Sequence, residues 1–74
     1  SDEADALGKG VAEHAEEILS LVRDARTHVY LAGMKKVADT LDQVMARAAG
    51  SEETWQGLKQ KAVEERRWSE LTYH

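Results

Sequence analysis

Seventy-four residues, of which 42% are hydrophobic and 32% charged, suffice for one small domain with a thin core, because a chain this short buries only about 60% of the surface it exposes when unfolded. With no Cys there is no disulfide, and without Cys pairs or clustered His there is no zinc-finger staple. A formal charge of -4 and the lack of a clustered basic face argue against a nucleic-acid partner.

No apolar run is long enough to span a bilayer and no signal-peptide pattern opens the chain, so it reads as soluble, and cytoplasmic if natural. A first residue other than Met fits a processed, tag-released or excised chain. The absence of Pro and Phe and the abundance of Ala, Glu, Leu, Arg and Lys predict an all-α fold.

Ser1 can cap a first helix whose opening turn holds Asp2, Glu3 and Asp5. Gly8 and Gly10 weaken that helix, but from Val11 a stripe of Ala15, Ile18, Leu21, Val22, Ala25 and Val29 shares one face. His14 falls inside this stripe and reads as a buried or rim histidine. The cleanest pattern follows: Met34, Val37, Ala38, Leu41, Val44, Met45 and Ala48 lie within an arc of roughly 140°. This second stripe is out of phase with the first, and the switch falls near Tyr30. Three readings of the boundary stand: a turn at Gly33, a turn near Thr27, or an unbroken helix serving two neighbours. Lys35 and Lys36 sit unfavourably if a helix starts at Gly33, since cations oppose the dipole there.

Ala49 and Gly50 end this helix, and Ser51 caps a third one opening on Glu52 and Glu53. Trp55, Leu58 and Ala62 form its inward face, with Val63 at the edge. Past Glu64 the phase is lost again, because Trp68 and Leu71 point away from Leu58 and Ala62.

The fold expected is therefore a single domain over residues 1–74, a small three-helix bundle packed up-down-up, with approximate helices 2–32, 34–49 and 51–72. So thin a core needs outside help, and dimerisation is the common route. Trp68 and Leu71, with Tyr73 and Tyr30, form the expected interaction surface, Trp68 alternatively folding over the bundle end as a lid. Function is then protein-protein interaction, as a binding module or scaffold of natural or designed origin. The partner is another protein or a second copy, with no cofactor and no catalysis required.

The rival reading gathers His28 with Asp24 and His74 with Glu70 at one end of the bundle, as a metal or acid/base site for a hydrolytic protein. Glu-x-x-His and His-Glu-x-x-His signatures are absent. Trp55-Gln56-Gly57 resembles the Trp-x-Gly triplet of the small secreted helical-hairpin family named for it. The likeness covers three residues, and the turn signals here come earlier, at Gly50 and Ser51, so no function is carried over.

Overall fold

The computed structural model describes residues 2 to 73. Ser1 and His74, and with them the capping role of the first and the Glu70 pairing of the second, lie outside the described residues. In chain order the elements are α1 (Asp2–Glu13), α2 (Ala15–Arg23), β1 (Val29–Met34), α3 (Lys35–Ala49), α4 (Glu52–Glu64) and β2 (Trp68–Tyr73). The two strands pair in parallel, Val29 opposite Trp68 and so on to Met34 opposite Tyr73. This corrects the expectation of an all-α, up-down-up three-helix bundle: the chain is an α/β mixture, with a β-α-α-β crossover at its centre.

The two strands occupy the two places where the helical stripes lose phase. Val29 and Tyr30 favour extended backbone, as do Trp68, Thr72 and Tyr73, but a strand exists only if it finds a partner. Here the partner lies across two helices, so nothing local to either segment announces it. A parallel pair needs such a crossover, which α3 and α4 provide.

The long first helix expected over residues 2–32 is instead two helices and a strand. α1 breaks at His14, whose side chain is exposed and lies 3.5 Å from Glu17 Oε1, so it is not the buried or rim residue that the apolar stripe suggests. α2 stops at Arg23 because Asp24 turns its carboxylate onto the backbone: its Oδ1 accepts from the Arg26 amide at 2.8 Å, and Thr27 N–H donates to the Asp24 carbonyl at 3.0 Å. Such local bonds compete with continuation of a helix. α4 starts as its sequence requires, Ser51 accepting from Thr54 N–H at 3.0 Å with Glu52 and Glu53 in the first turn.

Trp55 and Met45 are fully buried at the α3–α4 contact, and Leu19, Val22 and Ala62 close over them. α1 lies against α3, and Gly8 sets how close they come, since a Cβ there would stand 3.0 Å from Thr40 Cγ2. α3 and α4 pack on one side of the sheet, with Trp68 buried among them. On the other side Tyr30, Ala32 and Met34 of β1 stand beside Ser69, Leu71 and Tyr73 of β2, all exposed. Tyr30 is 69% exposed, Leu71 63% and Tyr73 61%, so this face carries large apolar surface with nothing over it among the described residues.

Arg67 locks the opposite end of the sheet. Its guanidinium is buried and donates through Nη1 to the carbonyls of Val22, Asp24 and Thr27 at 3.0, 3.0 and 3.2 Å. The same side chain meets Glu65 through Nε and Nη2, at 2.9 and 2.7 Å. The C-terminal carbonyls of α2, left over by helix geometry, thus find a cation. The backbone follows: Val29 N–H donates to the Arg67 carbonyl at 2.6 Å, which starts the pairing of β1 with β2.

Candidate functional site

Because the strands are parallel, both end at the same edge of the fold, and β1 runs straight into α3 there. Gly33, the next-to-last residue of β1, stands at φ 152, in a region that side-chain-bearing residues rarely adopt. Beyond its chain neighbours no atom lies within 4 Å of where its Cβ would be, so its backbone conformation and not lack of space is what favours glycine here. Met34 is the N-cap of α3 in an extended conformation and offers no side-chain acceptor to the first-turn amides. No acidic residue stands in that first turn.

Instead Lys35 and Lys36 do. A helix N-terminus carries about half a positive charge, and each added cation near it costs roughly 0.3–1 kcal/mol. Asp39 offsets part of this, its carboxylate accepting from Lys35 Nζ at 3.1 and 3.2 Å across an exposed turn. Tyr73, opposite Met34 in the ladder, closes the far side of a shallow depression of about 300 Å³ lined by Met34, Lys35, Lys36, Asp39 and Tyr73. First-turn amides without a capping side chain and two lysines, one of them held by the Asp39 carboxylate that lines the same depression, form a donor set that can meet an anion such as a phosphate group. In open α/β sheets, ligands bind at this edge, outside the carboxyl ends of the strands.

Beneath the sheet lies a polar network that sequence reasoning missed. Lys59 of α4 donates to Asp42 of α3 at 3.2 and 3.3 Å and stands 2.8 Å from Glu70 of β2. Each carboxylate also accepts from an indole: Trp55 Nε1 donates to Asp42 at 2.9 Å, and Trp68 Nε1 to Glu70 at 3.0 Å. The two indoles meet edge to face with centroids 5.7 Å apart, and the Lys59 ammonium lies 5.5 Å from the Trp68 ring centre. Burial alone would push Glu70 up, but the bonds from Lys59 and Trp68 outweigh it and hold its carboxyl below the ordinary value despite the nearby Asp39 charge. Burial likewise opposes the charge on Lys59, and the bonds to Glu70 and Asp42 raise its pKa nonetheless.

The pH dependence follows from these directions. Glu70, depressed in the fold, contributes stability that is present above its unfolded pKa and is lost as pH falls through the folded one. Lys59, raised in the fold, contributes below its unfolded pKa and loses that contribution as pH rises through the folded value. The network is therefore intact across the neutral range and opens at both extremes. Tryptophan fluorescence should be flat from about pH 6 to 9, given ordinary values of about 4.3 and 10.4, and change below the carboxylate range. In Glu70→Gln the acid step should shrink; an unchanged acid step would show that another group is responsible.

The residues singled out from sequence are placed as follows. Tyr30, Leu71 and Tyr73 share the exposed sheet face, whereas Trp68 is 7% exposed on the helix side, edge-on to Trp55. Asp24 is bound to Arg26, whose hydrogen bonds lower the carboxyl's pKa, and His28 lies past the end of α2, so the expected Asp24–His28 helical pair does not form. Glu70 is engaged by Lys59 and Trp68. Among the described residues no group of three His, Cys, Asp or Glu is placed to hold a metal ion, and no helix is long and apolar enough to cross a membrane.

The chain is similar to part of ferredoxin–NADP reductase. It is 40% identical over 65 residues to the protein of that name from Thermosynechococcus vestitus, covering 85% of this chain and 17% of the relative. The Synechocystis protein of the same name is 33% identical over 64 residues, with 85% and 16% covered. The cyanelle form from Cyanophora paradoxa is 32% identical over 66 residues, with 85% and 18% covered. The chain thus spans about a sixth of the length of the curated relatives it matches. No family profile matches it. Similarity to named redox enzymes over most of the chain overturns the expectation of a scaffold acting through helical faces, and that of a de novo or engineered origin.

Proposed function

We propose that this chain is a segment of an oxidoreductase of the ferredoxin–NADP reductase type, and that its β1–α3 edge contributes to holding the phosphates of NADP. The observation that carries the reading is the uncapped α3 N-terminus bearing Lys35 and Lys36 at the carboxyl end of parallel β1, directly after Gly33. Amides and ammonium groups are what a dinucleotide phosphate needs, and their self-repulsion in the free protein is relieved when an anion arrives. The redox chemistry belongs to the larger protein. A protein partner, ferredoxin in the relatives' name, is part of the same proposal.

The bare sheet face supports it. Parallel sheets are almost always covered on both faces, yet here Tyr30, Met34, Leu71 and Tyr73 lie open on one side. In this reading the cover comes from the remaining five-sixths or so of a longer polypeptide, in place of the homodimer that the thin core suggested.

The test is a titration of the 74-residue chain with NADP, followed by backbone amide shifts. The amides of Lys35 and Lys36 should move first. Lys36→Glu, which reverses a charge at the helix end, should weaken binding about tenfold, or roughly 1.4 kcal/mol. Unchanged affinity in that variant, or shifts confined to the loops before the two strands, would end the reading.

A further inference from the structure

β2 is thinly held. Of its six residues only Trp68 is buried, and residues 69 to 73 are all exposed. Besides its ladder to β1, the side-chain ion pair joining it to another element among the described residues is Glu70 with Lys59. That ammonium is gripped from the other side by Asp42, which is itself fixed by the Trp55 indole. The line Asp42, Lys59 and Glu70 therefore runs from α3 through α4 to β2, with the Trp55 and Trp68 indoles each donating to one of its carboxylates. The elements it joins matter: α3 supplies the uncapped amides, and Tyr73, which closes the same depression, lies three residues beyond Glu70 on a strand with no other such tie among the described residues.

We infer that Lys59 is a positioning residue for the phosphate-binding edge: without touching a ligand, it ties β2 to α3 and fixes Tyr73 beside the α3 N-terminus. The ligand part of this rests on the nucleotide reading above, whereas the ordering of residues 71–73 does not. A cation between the two carboxylates is required, because each carboxylate is already committed to an indole and the two would otherwise repel across the gap.

The experiment compares the 74-residue wild type with Lys59→Met and Lys59→Arg by amide hydrogen exchange and by NADP titration. Lys59→Met keeps the aliphatic stem and removes the charge. It should speed exchange at Leu71, Thr72 and Tyr73 about tenfold more than at Leu19 and Val22, a local opening distinct from global destabilisation, and weaken NADP binding about tenfold. Lys59→Arg should restore both. If Lys59→Met fails to fold, Glu70→Gln, which breaks the same tie at the surface end, should give the same local pattern. Exchange at residues 71–73 that rises no more than in α2, or an arginine variant that behaves like the methionine one, overturns the inference. A wild type that does not bind NADP, with residues 71–73 still loosened by Lys59→Met, sinks the nucleotide reading and the ligand role while the tether itself stands.

Discussion

Arg67→Met should cost about 3–5 kcal/mol of folding stability, which is the scale for removing one partner from a buried charged network. A chain of 74 residues is stable by roughly 4–11 kcal/mol at about 0.05–0.15 kcal/mol per residue, so the variant should be largely unfolded in mild urea. The methionine fills much of the volume but donates nothing. The carbonyls of Val22, Asp24 and Thr27 then lose their common donor, and Glu65 loses its cation. Arg67→Lys should recover only part of the loss, because a single ammonium cannot reproduce the guanidinium's fork toward Glu65 and its reach to three carbonyls at once. Urea denaturation followed by far-ultraviolet circular dichroism measures both. A loss under about 1 kcal/mol, the value of an ordinary net hydrogen bond, would show that water satisfies these groups and that Arg67 is not the lock.

Trp55→Ala should be as damaging for a different reason. Truncating a fully buried aromatic costs about 3–5 kcal/mol through lost burial and the cavity left behind, and Trp55 is 0% exposed at the α3–α4 contact. The same substitution removes the edge-to-face contact with Trp68 and the indole donor to Asp42. Trp55→Phe separates these effects. It keeps most of the apolar volume and drops the donor, so it should lose less overall, yet still loosen the Lys59 network and shift the acid limb of the Trp68 fluorescence titration. Equal stabilities for Trp55→Ala and Trp55→Phe would place the energy in the hydrogen bond to Asp42 and not in packing.

The helix from Lys35 to Ala49 and the one opening at Ser51 were legible because helical order is local: apolar spacing, a left-handed residue at Gly50 and a serine cap all sit within a few residues of what they control. The sequence also marked where helical order fails, near Tyr30 and past Glu64. What it did not show is what replaces it there. Tyr30 and Leu71 look like misplaced helix residues until the strands are paired, when both prove to lie on one sheet face. The odd lysines at residues 35 and 36 were visible as a conflict with the helix dipole, and that conflict was the one local trace of the candidate site. Without β1 in front of them it had no direction.

By itself the sequence determined the composition limits, the α3 helix, the start of α4 though not its end at Glu64, and the positions at which the apolar stripes break, since each depends on neighbours along the chain. Only the tertiary structure decided that the two breaks join as parallel strands, that Lys59 meets Glu70, and that Arg67 closes three carbonyls from the end of α2. Those contacts link residues far apart in the chain, and their energy appears only when the intervening helices have brought both partners together.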